Sequence, residues 1–124
     1  MTTKEVAQMI AGIGLPNAYD HFDKDNTPGH PPFICFMYPS SENFFADDSV
    51  YQKFRTLRIE LYTNEKELSL EEAVENAMDA AGIVYDSSET YIESENMYMV
   101  VWETNELISK EDEVPDTTVA SPDR

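Results

Sequence analysis

Apolar and polar positions alternate most cleanly around residues 57–62. Leu57, Ile59 and Leu61 share one parity, and Thr56, Arg58 and Glu60 the other. Successive strand side chains point to opposite faces, so this pattern predicts a strand with one apolar and one polar face. Residues 33–38, Phe-Ile-Cys-Phe-Met-Tyr, are apolar on both parities, as in a strand buried on both sides. Residues 97–102 repeat that pattern, with Met97, Met99 and Val101 on one face and Tyr98, Val100 and Trp102 on the other.

Two stretches carry helical spacing instead. Thr2 with Glu5 is a capping-box pair, Val6, Met9, Ile10 and Ile13 follow at helical intervals, and Gly12 or Gly14 offers a stop. Ser69 with Glu72 forms a second capping-box pattern. Behind it Leu70, Ala73, Val74, Ala77, Met78 and Ala81 make an apolar stripe, and Gly82 stands at the C-cap, so the spacing predicts a helix over 70–81.

The remaining segments fall between these anchors. Residues 18–22 fit a short edge strand, and 23–32 are a loop by composition. The Ser40-Ser41-Glu42-Asn43 run ends the strand before it. Phe44 and Phe45 then stand in a turn-rich, polar setting, either tucked under the sheet or offered to a partner. Residues 50–62 are long for one strand, and Lys53 and Arg55 share parity with Leu57, so the early part is exposed or shifted by a bulge. Residues 63–67 read as a polar turn, 83–92 as a strand interrupted by Asp86-Ser87-Ser88, and 94–96 as a hairpin tip.

The order predicts an α+β fold: a mainly antiparallel twisted sheet with two helices packed on one face and a C-terminal β-hairpin. Residues 1–108 form the domain, and 109–124 read as an acidic, poorly ordered tail. Helices on one face leave the apolar side chains of 33–38 and 97–102 that point the other way without cover. The simplest cover is another copy of the chain.

Charge sharpens that expectation. The 124 residues hold 25 acids against 8 bases, a formal net charge of −17. Such a surface repels phosphate, which argues against sequence-reading nucleic-acid binding and against anionic membranes. Between residues 67 and 109 there are eleven acids and no Lys, Arg or His, whereas bases gather at Lys53, Arg55, Arg58 and Lys66. A solvated acidic face is one reading. The other is self-assembly, a basic strand region on one copy meeting an acidic helix or hairpin on the next. A single cysteine, no signal-peptide pattern and no membrane-length apolar run lead us to expect a soluble intracellular protein.

Candidate chemistry is sparse. His21 and His30, with Asp20, Asp23 and Asp25, flank a loop, but a calcium loop begun at Asp23 would put Pro28 where glycine belongs and Ile34 where glutamate belongs. Cys35 lies in the most apolar strand with no base near it in sequence, so it reads as a small buried hydrophobe. Glu89, Glu93, Glu95 and Glu103 need no catalytic pairing to explain them. Tyr91, Met97, Tyr98 and Trp102 are either core or an interface stripe. We expect no catalytic, metal or cofactor site and no enzymatic activity.

Gly14-Leu15-Pro16, Ala18-Tyr19, His21-Phe22, Pro31-Pro32-Phe33, Tyr38-Pro39-Ser40 and Asn43-Phe44 form one part of a collinear set. Ala46-Asp47, Val50-Tyr51, 57–62, Ala81-Gly82-Ile83 and 89–95 complete it. From about residue 3 to 108 the set resembles the tail-terminator (tail-completion) and minor tail proteins of long-tailed phages and prophages of Gram-positive bacteria. The resemblance implies an α+β subunit in a hexameric ring at the tail–head junction of the virion, made in the host cytoplasm. Such a ring caps the tail tube protein, docks a head-closure or connector protein, and lets DNA through its lumen without specific binding. It brings no catalytic residues, cofactor or membrane.

On that reading Glu71, Glu75, Asp79, Glu93 and Glu95 are candidates for an acidic lumen. Phe44, Phe45, Lys53, Arg55, Arg58, Tyr91, Tyr98 and Trp102 are candidates for the subunit or tube interface. A head-closure (stopper) or other neck protein stands beside it. From other classes come an acidic DNA-mimic inhibitor and, last, a small hydrolase using His21 or His30.

Overall fold

The computed structural model describes residues 1–20, 30–39, 41–46 and 49–109, with side chains excepted at 41–54, 105–107 and 109. In chain order the elements are α1 (Thr3–Ile13), β1 (Asn17–Tyr19), β2 (Phe33–Met37), β3 (Ser41–Ala46), β4 (Ser49–Thr63), α2 (Leu68–Ala80), β5 (Asp86–Ile92) and β6 (Met97–Ser109). A single 3-10 turn, Glu93–Glu95, joins the last two strands.

The strands form one sheet in the order β1-β2-β4-β6-β5, with β3 paired to the first part of β4. The β1–β2 pairing is parallel and the others are antiparallel, so the expected α+β, mainly antiparallel architecture is what the chain adopts. β4 is the spine. Its residues 58–62 lie between β2 and β6 in register, with Ile34 and Val100 on either side of Leu61, and Phe36 and Trp102 on either side of Ile59.

The alternation in 57–62 now has a direct cause. Leu57, Ile59 and Leu61 are buried with Ile34, Phe36, Val100, Trp102 and Ile108, under Val6 and Ile10 of α1 and Val74 and Met78 of α2. Both helices therefore cover the same face of the sheet. The amphipathic spacing of each helix is sufficient to place it there, because the buried residues recur at intervals of four.

The helix ends show where local chemistry matched the spacing and where it did not. The Thr2–Glu5 capping box is present: the Thr2 hydroxyl accepts from the Glu5 N–H at 3.2 Å, and the Glu5 carboxylate accepts from the Thr2 N–H at 2.9 Å. The box expected at Ser69 is absent, since α2 starts at Leu68 with Glu67 at the N-cap and no side-chain cap bond. The Glu67 carbonyl already accepts from the N–H groups of Leu70 and Glu71, which places Ser69 inside the first turn. Downstream, Gly82 takes φ +75 and donates to the Asp79 carbonyl, while Ile83 donates to that of Met78. This is a Schellman ending, and it needs a residue that tolerates a left-handed backbone at Gly82. Its hydrophobic contact is supplied by Ile83 and Met78, both in the core.

Four further expectations are corrected. Phe44 and Phe45 lie in strand β3, not in a turn, because residues 41–46 pair with β4 as an antiparallel hairpin. The predicted interruption at Asp86-Ser87-Ser88 is the start of β5, and residues 83–85 are the irregular part. Thr63 belongs to β4 and is buried, so the polar turn begins at residue 64. The edge strand expected from residue 18 starts at Asn17 and ends at Tyr19, before Asp20 with a φ of 71, and residues 21–22 of the expected span lie outside the described residues.

The long strand predicted over 50–62 is one element of 15 residues. It carries a register shift against β6 between Arg55 and Leu57, where four positions of β6 span two of β4. Ser109, assigned in sequence to the tail, is the last residue of β6 and pairs with Phe54. The rest of the expected tail, 110–124, lies outside the described residues, as do His21, Asp23 and Asp25 of the loop weighed for a metal.

Candidate assembly interface

The face of the sheet opposite the helices is built from the other parity. Across it run Ala18, Cys35, Glu60, Val101 and Ser88 in one row, flanked by a row of Phe33, Tyr62, Met99 and Thr90 and a row of Met37, Arg58, Glu103 and Asp86. Cys35 and Val101 are buried, 5% and 4% exposed, although no helix covers them. Phe33, Met37, Tyr62, Met97 and Met99 are half-buried. Part of the surplus apolar surface is thus buried, and part is open.

At the centre of this face lies a carboxylate that sequence alternation marks only as polar. Glu60 is 9% exposed, between Cys35 and Val101 on the neighbouring strands. Burying an ionised carboxylate is costly unless it is paired and hydrogen-bonded. Here Arg58 Nε donates to Glu60 Oε2 at 2.8 Å and the Tyr62 hydroxyl donates to Oε1 at 2.7 Å. Arg58 Nη1 also reaches Glu103 on β6 at 3.2 Å. The Phe33 ring stacks on Tyr62, with centroids 4.9 Å apart and planes at 23°.

Bonding to Glu60 first, with a smaller contribution from Glu103, raises the Arg58 guanidinium above its ordinary value against an opposing cost of burial. Burial, then the bond to Glu60, pushes the Tyr62 phenol well above the usual tyrosine range. The native state therefore holds the Tyr62 proton more tightly than the unfolded chain does. The associated stability is complete below the unfolded value of about 10 and is lost as pH rises above it toward the folded value. Tyr62→Phe should flatten that alkaline loss relative to the parent and lower stability near neutrality by about 1 kcal/mol for the missing bond. Urea midpoints of both proteins from pH 7 to pH 11 check this, and parallel alkaline limbs would contradict it.

The helix-covered face has its own wet end. Lys66, just after β4, bonds Glu71 of α2 at 2.6 Å and also Glu89 of β5, tying the helix start to the edge strand. Those two bonds, Glu71 first, raise the Lys66 ammonium above its ordinary value. Beside it Tyr91 and Tyr98 meet edge to face at 4.9 Å, and the Tyr91 hydroxyl donates to Asn96 Oδ1 at 3.1 Å. Asn64, Glu65, Lys66, Tyr91 and Tyr98 line an open groove of about 500 Å3 there.

The structure distributes the sequence candidates unevenly. Trp102 is corrected from interface to core: it is fully buried, and its Nε1–H donates to Glu75 Oε2 at 3.0 Å. That bond and the Lys66 pairing commit Glu75 and Glu71, both half-buried, to intramolecular partners. Asp79, Glu93 and Glu95 are exposed, as is Tyr91 at 47%, and Tyr98 is half-buried. Arg55 is half-buried over the Tyr38 ring, 5.4 Å from its centroid, and Arg58 belongs to the Glu60 network. The side chains of Phe44, Phe45 and Lys53 lie outside the described residues. Glu60, Tyr62 and Phe33 were missed by sequence reasoning. The available signal was their register opposite the two-sided apolar strands.

No protein-family description matches the sequence, and no curated protein matches it. Among solved structures the chain is similar to one from the "Virion of native gene transfer agent (GTA) particle", with a TM-score of 0.53 and 12% identity. The similarity covers 82% of this chain and 84% of that one, and what it shows is a shared fold.

Proposed function

We propose that this chain is a structural virion protein that ends a phage tail tube as a hexameric ring and offers the docking surface for the head connector. The observation that carries this reading is the fold shared with a chain of a gene transfer agent virion over more than four-fifths of both chains. The collinear sequence resemblance to tail-terminator proteins supports the finer role. The partly open face around Glu60 and the exposed hairpin supply surface for contacts with further copies and with tube and connector proteins.

The charge fits a passage for DNA. Six copies at −17 each place roughly a hundred negative charges on one ring. A bore rimmed by carboxylates repels phosphate and lets a duplex slide. Asp79, Glu93 and Glu95 remain as the exposed acids for that rim. The role is positional, with no chemical step and no cofactor.

Electron microscopy of particles assembled without the protein tests the role. Termination predicts tubes that overrun their normal length and tails detached from filled heads. Tails of normal length lacking heads would assign the chain to head closure instead, and normal-length tails joined to heads would overturn both.

A further inference from the structure

The groove lined by Asn64, Glu65, Lys66, Tyr91 and Tyr98 belongs neither to the core nor to the Glu60 network. Register explains how it forms. Thr63, Tyr98 and Tyr91 share one row across β4, β6 and β5, and residues 64–66 continue from Thr63 beyond that row. An edge-to-face pair covers a single ring face, so Tyr91, at 47% exposure, keeps aromatic surface open to the groove and to solvent. Its hydroxyl bond to Asn96 holds the ring against the β5–β6 turn.

Charge decides what that surface meets. Lys66 is held between Glu71 and Glu89, so its own positive charge is already countered. Glu65 is exposed and bonds to nothing among the described residues. The turn after Tyr91 adds Glu93 and Glu95, so Glu65, Glu71, Glu89, Glu93 and Glu95 stand against the one base, Lys66. We propose that this groove takes an arginine side chain from a basic segment of another protein. The guanidinium lies against the Tyr91 and Tyr98 rings, with Glu65 as its counter-charge and the Asn64 side-chain oxygen as an acceptor. Aromatic faces attract cations, and a planar, weakly hydrated guanidinium stacks on them better than an ammonium does. An anionic ligand would meet those carboxylates and a chain of net charge −17. Of the chain's three arginines, Arg55 lies over Tyr38 and Arg58 is bonded to Glu60 and Glu103, which directs the groove to a partner's. The inference goes beyond the ring reading and stands without it.

The probe is the capped peptide Gly-Arg-Gly, titrated into the full chain at physiological salt and followed by the ring-proton resonances of Tyr91 and Tyr98. Both should shift saturably, and Gly-Lys-Gly should bind more weakly. Tyr91→Phe keeps the ring face and should match the parent, whereas Tyr91→Ala, read on Tyr98, should bind about fivefold more weakly. Glu65→Gln should bind about threefold more weakly, the scale of one exposed ion pair. Asp79→Asn removes the same charge near the other end of α2 and should leave binding unchanged. Circular dichroism and melting temperatures equal to the parent's show that the variants are folded, and Glu65→Gln, in an exposed turn, decides the matter if Tyr91→Ala is not.

Equal losses for Glu65→Gln and Asp79→Asn would reduce the binding to general attraction by an acidic surface and overturn the site. Equal binding of a peptide with citrulline in place of arginine would make the ligand neutral. Binding seen only in Arg124→Gln would make the occupant the chain's own terminus. Either result overturns the assignment to a basic partner, and none of the three touches the ring reading.

Discussion

Trp102→Ala should destabilise the domain by about 3–5 kcal/mol, the range for deleting a buried aromatic side chain. The indole is fully buried at the middle of the sheet, between Ile59 of β4 and Ser87 of β5 in register, under the helices. Its removal opens a cavity on the side of the sheet that α1 and α2 share. It also withdraws the Nε1–H that α2 uses through Glu75 to grip the sheet. A domain of this size has a total stability of only about 5–15 kcal/mol, so a large fraction of the variant is expected to be unfolded at 37 °C. Trp102→Phe separates the two effects. It keeps most of the packing but leaves the half-buried Glu75 carboxylate without that donor, at a cost of about 1–3 kcal/mol. Because Trp102 is the chain's one tryptophan, both variants need circular dichroism rather than indole fluorescence as the readout. Losses below 1 kcal/mol for the alanine variant would show that the indole is not the keystone between the layers.

Arg58→Met carries the second large effect. It leaves Glu60, 9% exposed, with the Tyr62 hydroxyl but no positive partner. Breaking a fully buried pair by removing one member costs about 3–5 kcal/mol. Arg58 retains 29% side-chain exposure, and water screening there reduces the expected loss to about 2 kcal/mol. The double variant Arg58→Met, Glu60→Leu should recover most of that loss, since apolar groups then stand at position 60 between Cys35 and Val101 and at position 58 between Met37 and Glu103. Urea midpoints of the four proteins give the coupling directly. Additive losses would mean that the ion pair does not compensate the buried carboxylate. The same double variant also makes the open face more apolar, so its tendency to associate should rise alongside its stability.

The strands and helices that could be read from sequence are those whose side chains separate a dry face from a wet one. Residues 57–62 did so because the helices cover one parity only. α1 and the body of α2 did so because Val6 and Ile10, and Val74 and Met78, each sit one turn apart against that same face. β3 was hidden because Ser41-Glu42-Asn43 is turn-like in composition and its pairing partner lies beyond two acids at 47–48. β5 was misplaced for a related reason. An edge strand exposed on both faces has no hydrophobic period, while the apolar Ile83 before it serves the Schellman contact with Met78 rather than a strand. Trp102 could not be sorted between core and interface because both parities of its strand are apolar. Only the position of α2 over one of them decides it. Glu60 was unreadable for the opposite reason: alternation reports which face a residue takes, not that Arg58, Tyr62 and two apolar neighbours close over it.

The proposal of virion assembly draws on a resemblance in sequence, through a collinear set of short matches, and the comparison of structures adds a shared fold. The candidate residues fare differently under this account. Trp102, Glu71 and Glu75 bond within the subunit, while among the described candidates Tyr91, Asp79, Glu93 and Glu95 are exposed.

Averaged electron micrographs of the head-proximal end of assembled tails, with this chain carrying a visible tag, bear most directly on the central claim. The account predicts six tagged copies in one ring around the tube axis, with the hairpin of 93–96 toward the bore. A single copy at that position, or tags found away from the end of the tube, would contradict it.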